Sequence, residues 1–380
     1  MADQLKTFFS PALVRRLGAD VARVYPAFAQ PQFVADACRG LGALELLDRG
    51  RHIARALARH LPPEYPRAVR ILVRSLGPEH ATDELIGVGM APFFYLPHTL
   101  YVAEHGLEHF DVSMQAQYEL TKRFSAESSI RPYIARDPER ALGRLRLWAA
   151  DRNPHVRRLV SEGTRLRLPW APRVPWLDAN PDRVVALLSL LRDDPSTMVR
   201  RSVANNLNDL GKVHPELLFQ TAGAWIANAS PEMRALIEHA LRSAVKRGEA
   251  PALRLLGYGR QASVAIEDVQ IAPRRVQIGG RVSVSFVVRS RSRAPQDVLV
   301  DLAIHFIKAS GRSSAKVFKV KRVALPAGDR VALARSVSLA VHTTRTPHPG
   351  RHAVDVIVNG RPTRVGSFDV SDAGRKKPTR

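Results

Sequence analysis

The sequence predicts a chain of two parts, an all-α part followed by an all-β part. Three observations carry this. Apolar residues recur at helical spacing up to about residue 260 and at alternate positions after it. Prolines punctuate the first part where helices start, and paired turn residues punctuate the second. Two stretches of the first part repeat each other at a period of 43 residues.

In the first part, Leu41, Leu44 and Leu47 lead into Ile53, Ala54, Leu57 and Leu61, and Val69, Leu72, Val73 and Leu76 continue the three-and-four spacing. Pro62-Pro63, Pro66, Pro138, Pro154, Pro195, Pro215 and Pro231 mark the expected helix starts, where a missing N–H costs least. Residues 151–163 align with 194–206, so that Val156-Arg157-Arg158 falls on Val199-Arg200-Arg201, with a weaker echo at Ser230-Pro231-Glu232-Met233-Arg234. An Asp followed by Val-Arg at this period is the pattern of HEAT-type repeats. Each helix pair of that kind cannot bury its apolar face alone, so neighbours stack into a solenoid.

In the second part, strands are expected at Val282–Val288, Val298–Ile307, Val331–Ala340, Val354–Val358 and Val365–Val370. Gly279-Gly280, Gly328-Asp329, Pro349-Gly350 and Asn359-Gly360 supply the turns between them. Seven or eight short strands in about a hundred residues predict an antiparallel sandwich of immunoglobulin type. It lacks the Cys…Trp…Cys pattern, because this part holds neither residue. The expected fold is thus multidomain: an all-α HEAT-like repeat solenoid over residues 1–258, an all-β immunoglobulin-like sandwich over 263–371, and a basic disordered tail over 372–380.

Composition narrows the function. The 380 residues are 45% apolar and 24% charged, which is the balance of a globular chain. The single cysteine, Cys38, excludes an internal disulfide and any multi-cysteine metal site. The net charge is +23, and residues 261–380 hold 22 Lys+Arg against 8 Asp+Glu, or +14 of it. Such a field attracts a polyanion, with nucleic acid ahead of an anionic membrane. The uncharged stretch Leu85–Val102 contains Gly87, Gly89, Pro92 and Pro97 with no flanking positive cluster, and is expected as a buried helix–turn–helix segment rather than a membrane span. Gly87-Val88-Gly89 lacks the third glycine of a phosphate loop. Met1–Ser10 has no charged start before an apolar core, so a cytoplasmic chain is expected. No metal or cofactor is expected, and a monomer is the simplest state.

Two acids stand out. Glu162 falls in the last turn of a helix opening at Pro154 and closing at Gly163. Asp209 falls in the last turn of the next repeat, which is expected to open at Asp194-Pro195 and close at Gly211. A carboxylate at a helix C-terminus is disfavoured by roughly 0.3–1 kcal/mol. One explanation is local pairing, Arg158 with Glu162 and Asp209 with Lys212. The other is a small negative pocket in a positive surface, suited to a cation on, or made from, an anionic polymer. Asn205, Asn206 and Asn208 are poor helix formers beside Asp209. Glu127 lies one repeat upstream, as a third acid or as a first-turn helix glutamate capped by Ser125. Between the repeats, Arg165 and Arg167 suit phosphate, and Trp170, set between prolines, suits a sugar or base face. Alternatively, Trp170 and Trp176 pack beneath the loop.

The run Ser161-Glu162-Gly163-Thr164-Arg165-Leu166-Arg167-Leu168-Pro169-Trp170, with Ser202-Val203-Ala204-Asn205-Asn206-Leu207-Asn208-Asp209, resembles the AlkC branch of the AlkC/AlkD-type DNA alkylation repair glycosylases. Ser125-Ala126-Glu127, Ile130-Arg131-Pro132 and Arg51-His52-Ile53-Ala54 resemble other segments of that family, so that the likeness covers nearly all of residues 1–255. The resemblance implies a monofunctional glycosylase on HEAT-like repeats that releases 3-methyladenine and 3-methylcytosine from bent duplex DNA without a deep base-flipping pocket. Some members carry a C-terminal immunoglobulin-like domain. It further implies Glu127, Glu162 and Asp209 as the catalytic acids, and Arg158, Arg165, Arg167, Trp170 and Asn206 as residues on the DNA. The alternative is a catalytically inert HEAT-repeat scaffold that binds DNA or protein.

Overall fold

The computed structural model describes residues 5–80, 90–259, 261–341 and 346–372. The chain divides into two compact units, Met1–Ala240 and Leu241–Arg380.

The first unit is helical. It opens with α1 (Pro11–Val24), α2 (Gln30–Cys38), α3 (Leu46–His60) and α4 (Tyr65–Arg74). Further along the chain come α5 (Leu96–His105), α6 (Phe110–Thr121), α7 (Arg131–Arg136) and α8 (Pro138–Trp148). Then follow α9 (Pro154–Gly163), α10 (Pro175–Ala179), α11 (Pro181–Ser189), α12 (Thr197–Leu210), α13 (Pro215–Ile226) and α14 (Pro231–Lys246). Pro138, Pro154, Pro215 and Pro231 each open a helix, and Pro66 is the second residue of α4. The expected start at Asp194-Pro195 is corrected to Thr197. There Asp194 Oδ1 accepts from the Ser196 N–H at 2.9 Å, which holds Pro195 in a turn outside the helix. Of Leu85–Val102, residues 85–89 lie outside the described residues. The rest forms a 3-10 turn, Ala91–Tyr95, and most of α5, with Leu96, Tyr101 and Val102 buried. Among the described residues no helix is long and apolar enough to cross a membrane.

The sequence repeat is a repeated set of bonds. Asp151 Oδ1 accepts from the Asn153 N–H at 2.8 Å, just as Asp194 does from Ser196 one period later. Arg157 Nη1 donates to the carbonyls of Asp151 (2.8 Å) and Arg152 (3.2 Å); Arg200 Nη1 donates to those of Asp194 (2.6 Å) and Pro195 (2.9 Å). Each Val-Arg therefore closes the turn that precedes its own helix. Arg157 also forks onto the buried Asp194 carboxylate at 2.6 and 2.9 Å, tying one repeat to the next. Val156, Leu159 and Val160 of α9, and Val199, Val203, Leu207 and Leu210 of α12, have no more than trace exposure, and the two helices pack together. That packing brings the two acid-bearing helix ends side by side.

The second unit contains the last turns of α14, α15 (Ala250–Leu255) and eight strands. These are β1 (Val264–Ala272), β2 (Arg275–Gln277), β3 (Arg281–Ser290), β4 (Gln296–Ile307), β5 (Ser313–Leu325), β6 (Arg330–Ser338), β7 (Gly350–Val358) and β8 (Arg361–Ser371). One sheet has the order β1-β3-β6 and the other β2-β8-β7-β4-β5, antiparallel except for β2 with β8. Val282, Val284, Phe286 and Val288 of β3 face Val300, Leu302, Ile304, Val354, Val356 and Phe368 in one apolar core. Gly248 and Gly360 both take positive φ (74° and 77°), and a Cβ on Gly248 would lie 2.9 Å from the Gly360 carbonyl. This backbone approach seats the segment after α14 on the β7–β8 turn. The basic tail from 373 onward lies outside the described residues.

Candidate functional site

Glu162 and Asp209 do end their helices, and both are buried, at 4% and 1% exposure. Both local ion pairs weighed from the sequence form: Arg158 Nη2 stands 3.6 Å from Glu162 Oε1, and Lys212 Nζ donates to Asp209 Oδ1 at 2.7 Å. A further cation joins the two acids. Arg165 donates from Nη1 to Glu162 Oε2 at 3.0 Å, and from Nε to Asp209 Oδ2 at 2.8 Å, with Nη2 also 2.8 Å from that oxygen. Burial acts to lower the guanidinium pKa, but Glu162 and Asp209 outweigh it and hold it above its ordinary value.

Glu127 joins the same line from the other side. Its Oε2 accepts from Arg158 Nη2 at 3.2 Å and from Ser125 Oγ at 2.8 Å. It sits in a turn ahead of α7, not in the first turn of a helix, so Ser125 binds its side chain instead of capping backbone. Nearby, Ser129 Oγ donates to Gln117 Oε1 and to the Ala126 carbonyl, both at 3.1 Å, which fixes the turn against α6. The result is an alternating row: Glu127, Arg158, Glu162, Arg165, Asp209, Lys212. Three acids from three successive repeats meet three cations.

The remaining expected residues are placed as follows. Trp170 is 65% exposed with φ of 61°, so it does not pack beneath its loop; Trp176 is half-buried. Trp170 stands at a cavity of about 450 Å³ that is also lined by Phe93, Leu100, Phe124, Glu127 and Arg158. Arg167 Nη1 donates to both oxygens of Asp178, at 2.8 and 3.1 Å, and to the Leu166 carbonyl, which engages it within the loop. Asn206 is fully buried. Its Nδ2 donates to the Ser161 carbonyl at 2.8 Å and Thr164 Oγ1 at 3.1 Å, so it braces the end of α9 from inside α12 instead of facing a ligand. Asn205 Oδ1 bonds His239 Nε2 at 2.9 Å. These asparagines, poor helix formers, make side-chain bonds to neighbouring helices.

Arg131 holds the loop that carries Arg165. It is 1% exposed, and donates from Nε to the Pro172 carbonyl at 2.7 Å and from Nη1 to the carbonyls of Gly163 (3.0 Å) and Arg165 (2.9 Å). Burial pushes its guanidinium down to about 10, against the pull of Asp178, so it stays charged at neutral pH. In the sequence Arg131 stands out only as part of a family segment. Its further signal is an arginine ahead of a proline, next to the apolar Ile130.

Gly163 is packed for closeness. A Cβ there would lie 2.7 Å from Ile130 Cγ2. Gly163→Ala is expected to cost about 1–3 kcal/mol by overpacking, read as a lowered midpoint in thermal unfolding.

The whole chain superimposes on a solved structure with a TM-score of 0.89 and 36% identity, over 97% of this chain and 99% of that one. That structure is the alkylpurine DNA glycosylase AlkC of Pseudomonas fluorescens, bound to DNA containing an abasic site analogue. This chain belongs to the AlkC family. A second relative is the uncharacterized protein YhaZ of Bacillus subtilis (strain 168), 35% identical over 362 residues, covering 95% of this chain and 97% of that one. Residues 265–372 match the family described as the C-terminal Ig-like domain of the uncharacterised protein YhaZ. The AlkC fold thus accounts for both parts, a helical HEAT-like repeat region and an immunoglobulin-like sandwich.

Proposed function

We propose that this chain is a monofunctional DNA glycosylase that hydrolyses the N-glycosidic bond of cationic alkylated bases in duplex DNA, 3-methyladenine and 3-methylcytosine foremost, and so begins base excision repair. The observation that carries the reading is the pair of buried acids, Glu162 and Asp209, at converging helix ends, in a family whose solved member is an alkylpurine DNA glycosylase. Residues 1–258 are the proposed catalytic domain and 263–371 the sandwich. The enzyme acts as a cytoplasmic monomer on double-stranded DNA.

The chemistry follows from charge. A methylated, cationic base leaves as a neutral molecule, so departure needs no acid. As the bond breaks, positive charge grows on the sugar C1′ and O4′. Asp209 and Glu162, already desolvated and fixed, stabilise that charge without reorganising and orient the attacking water. Glu127, held by Ser125 and Arg158, supports the same field at the edge of the cavity. Arg158 and Arg165 contact phosphate, and the exposed Trp170 lies against a sugar or base face. Arg167 holds the loop through Asp178, and Asn206 positions the acids from behind.

The inert-scaffold reading draws on the same ion pairs, which satisfy each acid without DNA. Substrate charge separates the two. The enzyme is expected to release methylated cationic bases from duplex and to leave neutral lesions, such as hypoxanthine, largely intact. Equal release of both would overturn the electrostatic mechanism. Duplex affinity should fall linearly on a log–log salt plot, with a slope of roughly 0.9 per phosphate neutralised.

A further inference from the structure

The acid row is balanced. Glu127, Glu162 and Asp209 stand against Arg158, Arg165 and Lys212, so in the free protein the row has no net charge to offer a forming cation. Arg165 is the member that bonds two acids at once. Its side chain is 13% exposed, against 6% and 2% for Glu162 and Asp209. Its backbone is fixed by Arg131, whose Nη1 donates to the Arg165 carbonyl at 2.9 Å, so the side chain can swing while the loop stays in place. If it leaves, neither acid is stranded: Glu162 keeps Arg158 at 3.6 Å and Asp209 keeps Lys212 at 2.7 Å. A phosphate offers the guanidinium fork the same paired oxygens that a carboxylate does.

We propose that Arg165 is an exchangeable counter-cation, which occupies Glu162 and Asp209 in the free protein and moves to a DNA phosphate on binding. The exchange leaves the row with one net negative charge at the moment a cationic sugar forms. Free protein is thereby kept stable, and the negative field is exposed only on DNA. This rests on the glycosylase reading for its purpose, but not for its test. Arg165 is a positioning residue here, acting through the two carboxylates.

The test compares two duplexes, one with a neutral tetrahydrofuran abasic analogue and one with a protonated pyrrolidine analogue, bound by the full-length protein and by R165M and R165Q. In R165M the log–log salt slope drops by about 1, because one phosphate is no longer neutralised. At the same time its preference for the cationic over the neutral duplex stays within about twofold of that of the unmodified protein, because in both the bound acids are free of residue 165. An arginine that stayed on the acids would instead hold the preference down, and its removal would raise it by roughly tenfold with the slope unchanged. R165Q behaves as R165M does. Since the glutamine keeps hydrogen-bonding groups beside the acids without the charge, it carries the test if R165M does not fold. A preference raised by roughly tenfold in either variant overturns the proposal, as does an unchanged salt slope. The two readings fail separately. Base release with a raised preference or an unchanged slope removes the exchange alone; a lowered slope and a steady preference without base release remove the glycosylase reading and leave the exchange standing.

Discussion

Asp209→Asn is expected to lower base release by about 10²–10³-fold while duplex binding stays intact or tightens. Asp209 is 1% exposed and takes three cationic contacts, two nitrogens of Arg165 on Oδ2 and Lys212 on Oδ1. The amide keeps the shape and one acceptor oxygen but removes the charge. If the carboxylate acts by stabilising a positive sugar, the change strikes the transition state far more than the ground-state complex. Binding should hold or improve, because Arg165, no longer attracted to a charged partner, is freer to meet phosphate. Single-turnover release with 3-methyladenine duplex, beside a duplex-binding titration, separates these effects. Activity near that of the unmodified protein would remove Asp209 from the mechanism.

Arg131→Met is expected to destabilise the first unit by about 3 kcal/mol or more. Three carbonyls, that of Gly163 in a buried setting and those of Arg165 and Pro172 in part-buried ones, lose their donor. Each unsatisfied buried group costs about 1–3 kcal/mol, although the loop relaxes and the costs do not simply add. For a unit of this size the loss is a fall of roughly 10 °C in Tm. Arg131→Lys should recover little, because an ammonium is a compact donor and cannot reach the carbonyls that Nε and Nη1 reach together. Scanning calorimetry of both variants checks this. A change within about 1–2 °C, well below the expected fall, would show that the loop is held by other contacts.

The residues behind these two effects differ in how visible they are in the sequence. Glu162 and Asp209 were legible because they break a local rule, an acid at the negative end of a helix, twice at one period. Their ion pairs with Arg158 and Lys212 were legible too, since i,i+3 and i,i+4 neighbours meet on any helix. The Arg165 bridge was not, because it spans 44 residues to Asp209 and depends on how α9 packs on α12. The interior place of Asn206 was hidden for the same reason: only the packed repeats show that its amide faces Ser161 and Thr164.

The fold shows a similar division. The five strands foreseen, at 282–288, 298–307, 331–340, 354–358 and 365–370, fall within or largely overlap β3, β4, β6, β7 and β8. Their inward faces alternate with polar residues or are wholly apolar. β5 (Ser313–Leu325) went unnamed because it is an edge strand, mostly exposed, in which Lys316, Lys319, Lys321 and Arg322 blur the period of two. Helix starts were foreseen at Pro66, Pro138, Pro154, Pro215 and Pro231, each in a first turn, whereas Pro62-Pro63 lies in the connection ahead of α4. Pro195 misled because Asp194 binds the Ser196 N–H and delays the helix to Thr197.

Whether the acids of this row release a cationic base from DNA is decided by incubating excess protein with 3-methyladenine-containing duplex and measuring the free base by chromatography. The expected result is 3-methyladenine release well above the spontaneous rate, leaving an unbroken strand with an abasic site. Salt-sensitive duplex binding with no base released would refute the glycosylase reading, and would leave Glu127, Glu162 and Asp209 as ion-pair partners in an inert scaffold.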